Sequence, residues 1–420
     1  MKQMQPFSPS PKIAFIMPAL ADMTPGGVTT FVRQMVEGFK NYGDQFKVVE
    51  VPHGDYARAL LVKQPKRGKT EDRTASAANR CDNKKWNKPP LQDGLLALGY
   101  LKALWCDICR VWKVRRECRH HIIVTNHFGC ETLPIAIRVV LPFGTLISIS
   151  HTHPGEGAYA RHPVRRFVER LCYWSVSEVL FNSAASRRLW EERLNVDHIH
   201  GTVVHLGTET PDLTLPADYP LKPKGTTDVV CVARFAHWKG QMNLVRAWGL
   251  LMGQDEAIPP LNARLIFIGD GECFQEVRNE VLRIGLGESI LFVGHRSRGD
   301  LYFNGGDAAV LLSTEPEAFG LVLLEAMSRR LPVLASRLGG ITEIVQDGVT
   351  GITVDPRDIQ AVSNALRALL VSEGKRRLFG ENGRCLWEST FTLDNMVRRY
   401  CAVFGMMPMN RAESIAISKA

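Results

Sequence analysis

A chain of 420 residues with 45% hydrophobic and 23% charged residues is long enough for two packed cores and too apolar to be disordered throughout. Its formal net charge of +9 is concentrated: between Arg58 and Arg119 stand 16 Lys/Arg against 6 Asp/Glu, a net of +10, so the remainder sums to about −1. That distribution excludes a protein that coats nucleic acid over its whole surface and points to one local face for an anionic partner, such as a membrane surface, a phosphorylated lipid or an acidic glycan.

In chain order, residues 12–17 are a short apolar run between prolines and read as a buried parallel strand. With Lys2 before it and Ala19-Leu20-Ala21 after, the same run imitates a secretory signal and its cleavage site. Pro9 and Pro11 ahead of it and Pro18 at its end favour a first strand instead. Pro25-Gly26-Gly27 makes the next loop, Val28, Phe31, Val32, Met35, Val36 and Phe39 recur at helical spacing, and residues 47–51 form a second strand. This opens a βαβ unit and hence a parallel sheet. Residues 63–90 hold almost no aliphatic side chains and read as a long or disordered insertion. A basic amphipathic helix follows over 95–116, its apolar face read as Leu95, Leu96, Leu98, Leu101, Leu104 and Trp105, which suits packing on the first domain's core or, as the alternative, an anionic membrane. Cys106 and Cys109 within it, and Cys118, His120 and His121 beyond, are zinc-ligand types without a turn to gather them, so no metal is expected. The ten cysteines have no repeating spacing and read as reduced thiols of a cytoplasmic protein.

Strand-like runs return at 122–125, 144–150, 179–181 and 202–205, with helical patterns at 131–140, 164–175 and 184–194 between them. Prolines and weak periodicity mark 211–225 as a linker. Alternation then restarts with strands at 229–233, 265–268, 290–292, 308–312, 332–335 and 351–354. The expected fold class is α/β, two Rossmann-like domains (1–215 and 226–390) whose parallel sheets face a central cleft. A C-terminal helix and tail over 391–420 would return to the first domain. In such sheets ligands sit at the carboxyl ends of strands, beside helix N-termini.

Two strand-to-helix segments carry chemistry. In Ser313-Thr314-Glu315-Pro316-Glu317-Ala318-Phe319-Gly320-Leu321, a glycine opens the helix, so free N–H groups there suit a phosphate. Glu317 stands in the loop, and Glu325 lies about a turn and a half into the helix. In Val232-Ala233-Arg234-Phe235-Ala236-His237-Trp238-Lys239-Gly240, two cations flank a helix start, where the helix dipole disfavours them unless an anion lies between.

The order and spacing of these segments from 227 to about 404 resembles the C-terminal half of the family 4 retaining glycosyltransferases, the glycosyl transferase group 1 proteins of the GT-B fold. Further matching segments are Phe267-Ile268-Gly269-Asp270-Gly271-Glu272, Leu291-Phe292-Val293-Gly294-His295, Leu331-Pro332-Val333-Leu334-Ala335-Ser336, Gly339-Gly340-Ile341-Thr342-Glu343-Ile344-Val345 and Gly348-Val349-Thr350-Gly351. The resemblance implies that Arg234 and Lys239 neutralise a donor pyrophosphate and that Glu325 binds the ribose. It implies that Glu317 contacts the donor sugar, and that the main chain of Phe319, Gly320 and Leu321 fixes the sugar hydroxyls and β-phosphate. Main-chain groups at Gly294, His295 and Arg296 would frame the base. In the first half, Gly26-Gly27 resembles the family's glycine pair, and His151, with His153 as a rival, resembles its strand-end histidine. Two departures stand out. Arg330 occupies a helix C-terminus where relatives carry glycine, and its side chain is expected to meet the last helix carbonyls. His205-Leu206-Gly207 replaces the usual Asn-Gly after the last strand of the first domain.

The resemblance implies transfer of a hexose-type sugar from a nucleotide-sugar co-substrate, with retained configuration, to a glycan, lipid-linked or small-molecule acceptor in cell-surface polysaccharide or glycoconjugate synthesis. No other cofactor is expected, and the chain has no Asp-x-Asp to hold a metal. A nucleotide-sugar 2-epimerase and a non-catalytic scaffold of a membrane glycan-assembly complex are the competing readings. Nucleic acid is not an expected partner, since aromatics are sparse among the basic residues.

Overall fold

The structure, a computed structural model, describes residues 13–18, 34–35, 38–39, 46–51, 93–116, 118, 122–126, 132–151, 162–253 and 261–405. Gly26, Gly27, His153 and the 63–90 insertion lie outside these. The chain forms two compact units, one of residues 1–29, 42–180 and 189–202, the other of 30–41, 181–188 and 203–420. The division is thus not a single cut in the linker.

Each unit is built on a six-stranded sheet. In the first, β1 (Ile13–Pro18), β2 (Phe46–Val51), β3 (Ile122–Asn126), β4 (Leu146–Ser150), β5 (Glu178–Phe181) and β6 (Gly201–Val203) take the order β2-β1-β3-β4-β5-β6. In the second, β7 (Thr227–Val232), β8 (Ala263–Ile268), β9 (Ile290–Gly294), β10 (Ala308–Leu311), β11 (Val333–Ser336) and β12 (Gly351–Val354) take the order β12-β11-β10-β7-β8-β9, every pairing parallel. The strands of the second sheet read as unbroken apolar runs because helices cover both faces. Val229, Cys231, Leu265 and Phe267 pack with Leu244, Trp248 and Leu366 in one buried cluster. Strand order reverses between β7 and β10 here, and between β1 and β3 in the first sheet. Chain leaving the carboxyl ends of neighbouring strands at such a point diverges and opens a crevice.

The helix Asp93–Val114 has two apolar faces, where the sequence reading assigned one. Leu104, Ile108 and Val111 join the buried cluster beneath it. Leu98, Leu101, Trp105 and Trp112 flank that buried stripe on its solvent side, each more than half exposed, with exposed Lys102, Lys113 and Arg116 on the same helix. The helix Pro163–Ser175 packs nearby and likewise exposes Phe167 and Trp174 together with Arg166 and Arg170. No helix among the described residues is long and apolar enough to cross a membrane.

The C-terminal helix Leu393–Phe404 meets the 30–41 segment, with the Phe39 and Phe404 ring centroids 6.3 Å apart. Arg330 adopts a left-handed conformation, φ 60°. Its guanidinium pairs with Glu381 at 3.1 Å rather than with the last helix carbonyls, which corrects the expected cap.

Candidate functional site

The loops after β7 and β10 flank the reversal point of the second sheet. Both are drawn against their neighbours by glycines that no side chain can replace. Gly240, φ 71°, lies so near β10 that a Cβ would stand 1.9 Å from the Leu312 carbonyl oxygen. Gly269, φ 141°, would place one 2.0 Å from the carbonyl of Ala233, and Gly339, φ 57°, 2.4 Å from that of Glu317. Cross-loop hydrogen bonds complete the frame: Thr314 N–H donates to Trp238 O at 2.7 Å, and Gly340 N–H to Glu317 O at 2.8 Å. The segments singled out around Arg234 and Gly320 therefore adjoin.

The sequence argument left Lys239 in need of an anion at the helix start, and the structure supplies one from the protein. Lys239 Nζ donates to Glu317 Oε1, and Ser313 Oγ donates to the same oxygen. The ammonium also lies 4.1 Å from the Trp238 ring centroid, so the cation is held by a carboxylate and a π face. Arg234 is exposed at the mouth of the β7 loop. Its carbonyl accepts from Gln241 Nε2 at 2.8 Å, and Gln241 is itself buried at the first turn of the helix Gln241–Met252. Gly320, φ 110°, caps the short helix Leu321–Met327, and the ring of Phe319 is buried.

Glu325 belongs to a second polar group. Its neighbours are Asp300, Arg298 and Arg329; Arg329 donates to the Glu325 carbonyl at 2.9 Å and pairs with Asp300 at 2.9 Å. Burial, and the negative charge of Asp300, push the Glu325 carboxyl up from 4.5 to about 7, against the pull of both arginines. The side chain is therefore poised between a hydrogen-bond donor and an acceptor near neutral pH.

The remaining predicted residues lie further out. Gly294, φ 82°, ends β9, and His295 and Arg296 beyond it are exposed. The Arg296 Nε–H faces Asp218 at 2.7 Å and the Tyr302 hydroxyl at 3.0 Å. His151 is buried at the end of β4 in the first unit. Sequence reasoning passed over Ser313, Trp238, Gln241, Asp300 and Arg329. Of these, Ser313 and Trp238 stand inside the two segments singled out from sequence and carried a signal that could have been used.

The profile of the family described as Glycosyl transferases group 1 matches residues 218–385. An N-acetyl-alpha-D-glucosaminyl L-malate synthase of Bacillus anthracis is 29% identical over 176 residues, 42% of this chain and 44% of that relative. The chain thus spans less than half the length of this relative. A GDP-mannose-dependent alpha-(1-6)-phosphatidylinositol monomannoside mannosyltransferase of Mycobacterium tuberculosis is 27% identical over 294 residues, 65% of this chain and 73% of the relative. Among solved structures, a sucrose-phosphate synthase of Thermosynechococcus elongatus superposes with a TM-score of 0.68 at 21% identity, covering 94% of this chain and 98% of that one. HepE of Anabaena, in complex with UDP-glucose, gives 0.65 at 20% identity, covering 94% and 99%. At such identities the likeness establishes the fold alone. Residues 218–385 are thus similar to the glycosyl transferases group 1 family, and the pair of parallel α/β sheets is the fold of the GT-B glycosyltransferases.

Proposed function

We propose that the protein is a retaining, metal-independent hexosyltransferase that uses a nucleoside diphosphate sugar and passes the sugar to a glycan, lipid-linked or small-molecule acceptor. The observation that carries this reading is the meeting of the β7 and β10 loops at the reversal point, where Lys239 reaches Glu317 and a glycine opens the helix at Gly320, with Arg234 exposed in the same β7 loop. As the glycosidic bond to phosphate breaks, positive character grows on the sugar and negative charge on the departing diphosphate. Preorganised cations and N–H groups at that phosphate lower the barrier, on the order of 3 kcal/mol for each well-placed donor. Arg234 and Lys239 supply the cations, Leu321 and Val322 the N–H groups, and the leaving phosphate takes the acceptor proton. When the diphosphate enters, it displaces Glu317 from Lys239 and frees that carboxylate for the sugar. Glu325 binds the ribose, and Gly294, His295 and Arg296 frame the base through the main chain.

Two similar proteins act on or hold donors of this class: the mycobacterial relative is named as GDP-mannose-dependent, and HepE was solved with UDP-glucose. The mycobacterial relative's acceptor is a phosphatidylinositol mannoside, which fits the exposed apolar and basic face of the first unit to an anionic membrane on its cytoplasmic side. A role in cell-surface glycoconjugate synthesis follows from that placement. The test is thermal unfolding of the protein with a panel of UDP-, GDP- and ADP-sugars, where a binding donor should raise Tm at saturating concentration. Turnover of that donor should survive a chelator and require an acceptor. Conversion of the donor to a free isomeric sugar without an acceptor would instead favour an epimerase, and binding without turnover a scaffold.

A further inference from the structure

The loop at residues 317–320 is held in place by side chains from far away in sequence, all within the second unit. Ser183 Oγ donates to the Ala318 carbonyl at 2.7 Å while accepting from Ser186 N–H at 3.0 Å. The hydroxyl is buried, and its one proton is committed to the loop. The His205 ring stacks on Phe319, with centroids 5.7 Å apart and planes 25° apart. Phe391 closes the group, 5.8 Å from His205 and 6.1 Å from Phe319.

The imidazole is itself oriented. His205 Nε2 lies 2.9 Å from Glu343 Oε2. The same carboxylate accepts from the N–H groups of Ala184 and Ala185 at 2.9 and 2.8 Å, at the start of the helix Ala184–Leu194. Burial works against the charge on Glu343, but the bonds from His205, Ala184 and Ala185 outweigh it and hold the carboxyl below its ordinary value. Ser183 and His205 are thus tied together through Glu343 and the helix start, and each places one contact on consecutive residues of the loop.

We propose that Ser183 and His205 are positioning residues for the donor sugar: by fixing the Ala318 carbonyl and the Phe319 ring, they set the main-chain donors of Phe319 and Gly320 against the sugar. The inference rests on the reading that this main chain contacts the transferred sugar. On the same reading the nucleotide is held by Arg234, Lys239 and Glu325, none of which is bonded to Ser183 or stacked on His205.

The prediction is a split between two ligands. Calorimetric titration without acceptor compares the nucleoside diphosphate sugar that wild-type protein prefers in the panel with its bare nucleoside diphosphate. Ser183→Ala and His205→Ala should each weaken the sugar nucleotide about tenfold and leave the bare nucleotide within twofold. His205→Phe keeps the ring without the bond to Glu343 and should recover most of the loss. Unchanged binding of the sugar nucleotide in both alanine variants overturns the proposal, and so does equal weakening of both ligands, which marks general damage to the fold. A wild-type protein that binds no member of the panel overturns the function reading itself, a failure visible before any variant is made.

Discussion

Glu325 and Arg330 stand five positions apart and show how one residue's surroundings set its behaviour. Unfolded, the Glu325 carboxyl ionises near 4.5; folded, it keeps its proton to about pH 7. Across that window the folded chain holds the extra proton, so raising the pH weakens the fold. Glu325→Gln has no such proton to lose, and its Tm should fall less than that of the wild type between pH 5 and pH 8. Parallel curves for the two proteins would contradict the assignment. Arg330 sits at φ 60°, a conformation that costs a side-chain-bearing residue about 1–2 kcal/mol. Its exposed pair with Glu381 returns little of that. Arg330→Gly should leave stability equal or raise it by up to about 1 kcal/mol, since glycine's extra unfolded-state entropy offsets part of the gain. A clear drop in Tm would show that the Glu381 contact matters more than its exposure implies. The two cations were legible in the sequence because charges at a strand end before a helix are electrostatically out of place. Ser183, His205 and Glu343 were not legible in role, because their partners lie more than a hundred residues away.

The strands could be placed from sequence because each is a short apolar run between turn residues, and a sheet covered on both faces demands such runs. Their ends moved by a residue or two; the strand read at 202–205 spans only Gly201–Val203. The helix Asp93–Val114 resisted a full reading for a physical reason. Apolar residues occur all round it, and periodicity cannot say which side a neighbour will cover. Leu104 and Val111 proved to be inside, while Leu98, Leu101, Trp105 and Trp112 proved to be outside. Those four, and Phe167 and Trp174 on the helix that packs beside them, are exposed apolar side chains on helices that also expose lysine and arginine, the composition that inserts shallowly into anionic lipid. Co-sedimentation with vesicles should therefore be strong with phosphatidylglycerol and weak with phosphatidylcholine alone. Exchange of Trp105 and Trp112 for serine should reduce it at least several-fold. Binding that ignores both lipid charge and the tryptophans would remove the membrane from the account.

At the scale of the whole chain, the two sheets follow one rule. Each reverses strand order once, and the loops singled out from sequence, after β1 and β4 in the first and after β7 and β10 in the second, leave strands at or near the reversal. The fold thus gives a physical reason for chemistry to gather there, since diverging connections leave room and exposed main-chain N–H groups. Donor and acceptor identity were not legible, because main-chain contacts and pocket shape decide them and leave little trace in residue types. The most direct measurement of the central claim is titration of the preferred nucleoside diphosphate into wild-type, Arg234→Ala and Lys239→Ala proteins, alongside turnover of its sugar. A diphosphate seat between β7 and β10 predicts at least tenfold weaker binding in each variant and turnover reduced about 100- to 1,000-fold, with the fold intact by circular dichroism. Undiminished binding and turnover in both variants would contradict it.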